Sequence, residues 1–434
     1  GFLGAAYDWG TKASIVDAPS IMTLAKLEDG KYTIDTHVYN NDVQHFLGTN
    51  AYVDSNEYGY DIIQQADGSF VIVGEDGKLL AYQDVDGKTQ ANWIDGDITD
   101  AAKWIFSTKE EVLASTGEVT EGKPVELTML IADPNFSRNN RGFDAWEGDK
   151  PGKGGPNENQ NAEKWGGNSQ EFDTYQTIDL PFGVYNLTAQ GFYRYNNTTE
   201  NTNDVAIAAH ADGTEELLSC LYADDVMVPF TSIADDEASE ALEGALPFSQ
   251  AAAAEAFGKG LYNNSLTFVG GGKVKIGVKK TTHLGCDWTV WDNMRLFYTA
   301  TQPATTVELV EGLNKSTGEW EAFQDGYTYF TYTAQQDCRV CITTYGPEFT
   351  NIQYSTSEGW AEALNPDAIC IKSYTFPAEM GETVHFRANV GATDHIGYTM
   401  IGVHEEDPDG SNHVHAHDAD ADAIASVQAN SNNA

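Results

Sequence analysis

The fold of the chain is decided by the stretch LPFGVYNLTAQGFYR, residues Leu180–Arg194. Pro181 and Gly183 predict a turn near its start, because proline presets φ and glycine accepts the backbone angles of tight turns. Val184–Phe192 then predicts a strand, since aromatic and β-branched residues fit a pleated sheet. Frequent Thr, Tyr and Val, together with 41 glycines, extend this pattern along the chain. We therefore predict an all-β protein.

The composition bounds the number of domains and excludes some partners. With 434 residues, the chain is long enough for about two to four domains with ordinary cores. Its 24 basic and 66 acidic residues give a formal net charge of −42, which repels nucleic acid and anionic lipid. No run approaches the ~20 apolar residues of a transmembrane helix. We expect an acidic, secreted or cell-surface protein with an extracellular location and no membrane span.

Residues 1–117 contain an imperfect internal repeat. Such short units cannot each bury a core, but together they can close into one. This predicts a β-trefoil or a related small barrel. The units share two motifs, which are GFLG at 1–4, HFLG at 45–48 and KLLA at 78–81, and DGKYTI at 29–34, DGSFVI at 67–72 and AKWIF at 102–106.

The first unit of this repeat differs from the other two. In those two, one hairpin arm precedes the other, at Tyr32–Val38 before His45–Gly48 and at Phe70–Val73 before Leu79–Ala81. Nothing in the sequence precedes the strand that contains Phe2 and Leu3. We expect the first unit to lack its opening strand and to leave an unpaired edge, either through processing or because another chain supplies the strand.

A series of ordered blocks characterises residues 118–301. The blocks are Leu130–Phe136, Ala162–Trp165, Phe172–Gln176, Leu180–Arg194, Val274–Lys279 and Asp287–Leu296. In this order they resemble the galactose-binding-like jelly rolls of non-catalytic carbohydrate-binding modules. The repeat of residues 1–117 resembles the ricin-type lectin-like modules at the front of multidomain secreted proteins of gut anaerobes. Ser249–Phe257 predicts the one clear helix, with a Ser cap and a stop at Gly258.

The jelly-roll resemblance implies a structural calcium ion that ties the first strand to the last. The matching positions are Asn135 and Asp292, with Asp133 and Asp287 as neighbours. Calcium takes about six to eight oxygen ligands, some of them backbone carbonyls. The alternative is that these residues only form turns.

Sugar binding requires exposed aromatic faces beside polar hydrogen-bonding groups. The candidates are Trp146, Trp165, Tyr193, Arg194, Tyr195 and Trp288. The alternative for each tryptophan is a place in the core of the sandwich. The insert Asp149–Gln170 is rich in Gly, Asn and Lys, and we expect a loop that either frames a site or is a surface excursion.

Alternation of apolar and polar residues returns after a linker at Thr301–Thr306. Strands are predicted at Tyr327–Thr333, Arg339–Thr344 and Thr383–Val390. Residues 307–406 are therefore predicted to form a second, smaller β-sandwich.

Residues 407–434 form a tail with its own pattern. His413, His415 and His417 alternate, so a strand would place their imidazoles on one face, as a weak site for a borderline metal ion. Small residues alternate after them, at Ala419, Ala421, Ala423, Ala425 and Val427. Alone, the tail buries too little to order itself. As an extended strand, it could instead pair with the open edge at Phe2 and Leu3 of the next subunit, which would give a filament.

Two functions follow from these patterns. No G-x-S-x-G, phosphate-loop, dinucleotide or H-E-x-x-H motif occurs, so we expect no enzyme. The first hypothesis is an adhesin that binds glycans through its lectin-like β domains. The alternative is a structural subunit of an extracellular filament that assembles by donation of the tail strand. The two are compatible, because a fibre of lectin-like subunits would bind with avidity.

Overall fold

The structure is a computed structural model that describes residues 1–7, 10–40, 43–136, 145–153, 161–165, 171–315, 320–345, 349–362, 371–390 and 398–404. The prediction of an all-β protein is confirmed, because sheets of mainly antiparallel strands dominate these residues. The chain divides into two compact units. Unit one comprises Gly1–Ile178, Tyr185–Leu266 and Lys275–Ala300, and unit two comprises Asp179–Val184, Thr267–Val274 and the chain from Thr301 onward. The domain boundaries derived from the sequence stay predictions.

The repeat region of unit one, residues 1–117, forms two sheets. Its strands are β1 (Phe2–Ala6), β2 (Lys12–Val16), β3 (Thr23–Lys26), β4 (Tyr32–Asn40), β5 (Gln44–Leu47), β6 (Val53–Asp54), β7 (Asp61–Gln64), β8 (Phe70–Val73), β9 (Leu79–Val85) and β10 (Lys88–Ile94). One sheet has the order β1-β2-β10-β9-β8-β7, and the other has the order β3-β4-β5-β6. The two predicted hairpins are confirmed, because β4 pairs with β5 and β8 pairs with β9.

The repeated motifs supply equivalent residues to one hydrophobic core. Leu47 and Leu80, from the second and third copies of the first motif, are buried in the same cluster, and Leu3 of the first copy packs against it. Ile34 and Ile72, from two copies of the second motif, lie in that cluster too. A core shared between short units explains how none of them needs a core of its own.

Residues 118–301 contribute the strands of one larger sheet. Its strands are β11 (Val125–Glu126), β12 (Glu147–Gly148), β13 (Gly152–Lys153), β14 (Ala162–Trp165), β15 (Phe172–Arg194), β16 (Ser219–Ala223), β17 (Val226–Pro229), β18 (Thr231–Ser232), β19 (Asn263–Lys280) and β20 (Trp288–Ala300). The order is β13-β14-β20-β15-β19-β16-β17. β11 adds to β20, while β12 and β18 add to β15. The insert Asp149–Gln170, predicted to be a loop, thus contributes the strands β13 and β14.

The turn predicted at Pro181 and Gly183 is not formed. β15 runs through both residues without interruption. The fixed φ of proline is compatible with extended backbone, and Gly183 does not take a positive φ. Tertiary context often overrides local turn propensity in strands.

The described residues include four short α-helices, which are α1 (Lys109–Ala114), α2 (Asp204–Ala211), α3 (Asp236–Ala241) and α4 (Gln250–Gly258). The predicted helix is confirmed as α4, and the hydroxyl of Ser249 caps it by accepting from the N–H of Ala252 at 3.2 Å. It is not the only one. The other three span six to eight residues, too few to show a clear helical period in the sequence.

Unit two contains two sheets that share a core. Its further strands are β21 (Val307–Glu308), β22 (Gly312–Lys315), β23 (Thr328–Thr333), β24 (Cys338–Tyr345), β25 (Phe349–Thr356), β26 (Gly359–Glu362), β27 (Ile371–Ala378), β28 (Thr383–Val390) and β29 (Tyr398–His404). The sheets have the orders β21-β23-β28-β25-β26 and β22-β29-β24-β27. Phe330 and Phe386 of the first pack with Val340 of the second. The three strands predicted here are confirmed as β23, β24 and β28.

Candidate functional site

Three side chains of unit one lie side by side at the end of β14. Trp165 is directly opposite Trp288 of β20 in the antiparallel register. The indole Nε1 of Trp288 donates to Oε2 of Glu163 at 2.9 Å, and burial raises the pKa of this carboxyl. Residues two apart on a strand share a face. Glu163, Trp165 and Trp288 therefore lie together on one face of the strand pair, with Trp288 buried and Trp165 exposed.

Arg194 fixes this surface from the interior. The carbon at the centre of its guanidinium lies 5.2 Å from the ring centroid of Trp288 and 5.7 Å from that of Phe248. Its Nη2 donates to Oδ1 of Asn201 at 2.8 Å and to the carbonyl oxygen of Cys286 at 3.1 Å. A guanidinium within about 6 Å of a ring makes a cation–π contact. Arg194 thus holds both rings in a defined position.

Two aromatic rings next to Trp288 and Arg194 face solvent. Trp165 is 51% exposed and Phe248 is 53% exposed. Phe248 directly precedes the cap of α4, and the amide of Asn203 donates to the carbonyl oxygen of Pro247 at 3.0 Å, which anchors this segment. We define the aromatic patch as Trp165, Phe248, Trp288, Arg194 and Glu163. Apolar ring faces beside a carboxylate can stack on a sugar ring and accept hydrogen bonds from its hydroxyls.

The structure brings three of the six predicted sugar-binding residues into the aromatic patch, namely Trp165, Arg194 and Trp288. Trp165 is exposed as expected. The expectation of exposed faces is wrong for Trp146, Tyr193, Arg194 and Trp288, which are buried. A ring enclosed by protein cannot stack on a ligand. Tyr195 is partly buried and packs against the core that contains Trp288.

Tyr193 belongs to a buried polar network. The ammonium of Lys280 donates to Oδ1 of Asp287 at 2.7 Å, and the hydroxyl of Tyr193 donates to Oδ2 at 2.8 Å. Burial, followed by the negative charge of Asp287, raises the pKa of Tyr193. Asp287, a neighbour of the predicted calcium residues, is therefore already neutralised by an ammonium group.

The predicted calcium residues Asn135 and Asp292 lie where the segment before Phe136 meets β20. The N–H of Met294 donates to the carbonyl oxygen of Pro134 at 2.8 Å, which joins the two elements. Asp292 is buried, and burial is the main cause that raises the pKa of its carboxyl well above the usual value. The charge of Asp133, itself buried, raises it further.

These residues differ in how well they suit a calcium ion. Asp133 and Asp292 fit, because a divalent cation offsets the repulsion between two buried carboxylates. Asn135 fits less well, since its Oδ1 accepts from the guanidinium of Arg295 at 2.7 Å. Arg295 also pairs with Asp17 at 3.0 Å. Within the described residues, no group of three or more His, Cys, Asp or Glu is placed to hold a metal.

The remaining predicted residues concern metal binding and assembly. Those of the tail lie outside the described residues, namely His413, His415, His417, Ala419, Ala421, Ala423, Ala425 and Val427. Phe2 lies on β1, at the end of its sheet, and is 42% exposed. Leu3 packs against the core of the repeat region.

Comparisons with known proteins do not assign a family. No protein-family model matches the chain, and no curated protein matches it. Across the ranges that the structure describes, none of the helices has the length and apolar character needed to cross a membrane. Function is therefore inferred from the geometry of the aromatic patch.

The sequence did not single out Phe248 or Glu163. Phe248 stands immediately before the Ser cap of α4, where an apolar residue ordinarily packs against its own helix. Glu163 is one of 66 acidic residues. The signal that could have found it is its position two residues before Trp165 on one strand.

Proposed function

We propose that the chain is a non-catalytic, secreted or cell-surface protein that binds carbohydrate at the aromatic patch. The observation that carries this proposal is the half-exposed indole of Trp165 beside the ordered Trp288–Arg194 pair. Leaving a large apolar side chain exposed forgoes about 1.5–3 kcal/mol of burial free energy. Trp288, opposite Trp165 in the register, is held by Arg194, so this side of the site is pre-organised for a ligand.

Polar groups around the rings supply the hydrogen bonds that a sugar needs. Glu163 offers a carboxylate as acceptor. Asn201 accepts from Arg194 through its Oδ1, which orients its exposed amide nitrogen as a donor. Sugar hydroxyls can both donate and accept, so an acceptor and a donor beside a ring face suit them.

The resemblance of the sequence blocks to carbohydrate-binding jelly rolls supports the same function. The large sheet that carries the patch is compatible with a β-rich fold of this type. Fold resemblance alone does not specify a ligand. The support from the family pattern is thus secondary to the side-chain geometry, and the sugar is to be identified by binding.

The experiment compares the wild-type protein, Trp165→Ala and Tyr82→Ala on an array of glycans. Tyr82 is an exposed aromatic residue on β9 and serves as the matched control. Loss of a stacking contact of about 1–1.5 kcal/mol weakens binding roughly ten-fold. Trp165→Ala should show this loss and Tyr82→Ala should not. Equal binding by all three proteins would contradict the proposal.

A calcium ion held by Asp133 and Asp292 is part of the proposal. When bound, it supplies a structural charge that offsets the repulsion between the two buried carboxylates. The residues themselves connect the segment before Phe136 to β20, because Pro134 accepts from the N–H of Met294. The ion would therefore stabilise the link between this segment and β20.

The alternative function, a filament subunit that donates its tail strand, stays a prediction, because the donor residues lie outside the described residues. The observation that favours it is the position of β1 at the end of its sheet, with Phe2 exposed. Negative-stain imaging of the native protein beside a version that ends at Asp409 tests it. Filaments that vanish on truncation support assembly, whereas identical single particles contradict it.

A further inference from the structure

The three strands that carry the first repeated motif differ in their pairing. β5 lies between β4 and β6, and β9 lies between β8 and β10. β1 pairs with β2 and ends its sheet in the part of the chain that the structure describes. β1 therefore presents a backbone edge at the position where β5 and β9 each have a neighbour.

β4 and β8, the neighbours in question, are built alike. Each follows an Asp-Gly turn in which the aspartate accepts from the N–H two residues later. Asp29 accepts from Lys31, and Asp67 accepts from Ser69, both at 3.1 Å. Each strand then begins with an aromatic residue, followed two residues later by a buried isoleucine, in Tyr32-Thr33-Ile34 and Phe70-Val71-Ile72.

In each of the two complete units, an aromatic side chain donates a hydrogen bond to the backbone of the leucine in the first motif. The hydroxyl of Tyr60 donates to the carbonyl oxygen of Leu47 at 2.7 Å. The indole Nε1 of Trp104 donates to the carbonyl oxygen of Leu80 at 2.9 Å. The repeat thus extends from sequence to three-dimensional geometry, and Leu3 is the third equivalent leucine.

A groove of about 540 Å³ borders β1. Gly4 and Ala5 of β1 line one side of it, and Thr36–Val38 of β4 line another. Ile21 lines it as well and exposes its apolar side chain. Residues 129–135 also border the groove. It combines the backbone of β1 with mainly apolar walls, which are the two features that an added strand requires.

We propose that this groove takes up a further β-strand, antiparallel to β1, with the side-chain pattern of β4 and β8. β4 runs antiparallel to β5, and β8 to β9. Neighbouring strands lie about 4.8 Å apart, and main-chain hydrogen bonds supply the attraction. Selectivity comes from an isoleucine of the added strand, two residues after its aromatic residue. This isoleucine would lie near Leu3, just as Ile34 lies in the cluster of Leu47.

The test appends a copy of residues 29–40, followed by a flexible linker, to the N-terminus of the full chain. The matched control carries Ile34→Asp in the copy alone, because a charge at the buried position opposes docking. The first fusion should raise the Tm by roughly 2–8 °C. It should also slow amide hydrogen exchange of Phe2–Ala6 by about ten-fold or more. The control should do neither.

A peptide of residues 407–434, added to the unfused chain, distinguishes this occupant from a donated tail. Protection of β1 by the tail peptide, but not by the fused strand, overturns the proposed pattern and favours the filament. Absence of protection by either overturns the groove as a strand site. If a fusion does not fold, free peptides of residues 29–40 with and without Ile34→Asp give the same comparison.

Discussion

Replacing Asp287 by alanine leaves a buried ammonium without its carboxylate. The side chains of Lys280 and Asp287 are both 0% exposed, with 2.7 Å between Nζ and Oδ1. Tyr193 and the N–H of Leu284 donate to the other oxygen at 2.8 and 3.1 Å. Removing one partner of a buried ion pair costs about 3–5 kcal/mol. We expect Asp287→Ala to lower the free energy of unfolding of unit one by that amount.

Urea unfolding followed by tryptophan fluorescence measures this loss. The free energy falls by about 1–3 kcal/mol per molar urea in small proteins, so the midpoint should drop by roughly 1–5 M. The double variant Lys280→Met, Asp287→Leu removes both charges and keeps apolar volume. It should recover much of the lost stability, because an apolar pair avoids the desolvation of two ions.

A different outcome would refute this account of Asp287. A loss of less than about 1 kcal/mol for Asp287→Ala would show that the ion pair is not buried as described. Asp287→Ala should also retain any stabilisation by calcium, because the ammonium of Lys280 already neutralises this carboxylate. Loss of the calcium response in that variant would place Asp287 at the metal instead.

Three further predictions concern other ionisable groups, namely His385, Asp292 and Lys12. Burial lowers the pKa of His385 to about 4, below its unfolded value of about 6.5. The contribution of His385 to the free energy of unfolding is therefore fully present above pH 6.5. About 3 kcal/mol of it is lost as the pH falls towards 4, because the unfolded state binds the proton first. Urea titrations at pH 7 and pH 4 should show a larger loss for wild type than for His385→Phe, and equal losses would contradict this. Calcium should raise the Tm of wild type but not of Asp292→Asn, with magnesium as control, and an equal rise in both would exclude the site. Lys12 donates to the carbonyl oxygens of Ala51 and Ala91 at 3.2 and 3.1 Å, so Lys12→Met should cost about 2–4 kcal/mol in urea unfolding. A cost under about 1 kcal/mol would argue against these contacts.

Local patterns were sufficient to predict much of the strand content. The hairpins of the repeat region depend on turn residues and alternating side chains, which act over a few residues. β28 begins at Thr383 and ends at Val390, as predicted. The cap of α4 by Ser249 likewise depends on one side chain and one nearby N–H.

Features that depend on distant partners were not predictable. Trp146 stacks on Phe136, with 4.7 Å between ring centroids, so whether its face is free depends on how that segment packs. Pro181 and Gly183 carry a strong local turn signal, yet β15 is paired on both sides and stays extended. Trp165 and Trp288 look alike in sequence. Their different exposure arises from the three-dimensional packing of β14 and β20.

The most direct test of sugar binding at the aromatic patch is fluorine NMR of the protein labelled with 5-fluorotryptophan. The strongest glycan from the array is titrated in, and the Trp165 signal is assigned with Trp165→Phe. We predict a saturable shift of the Trp165 signal, with the buried Trp146 and Trp291 unchanged. Saturable binding that leaves the Trp165 signal in place would contradict the assignment of the site.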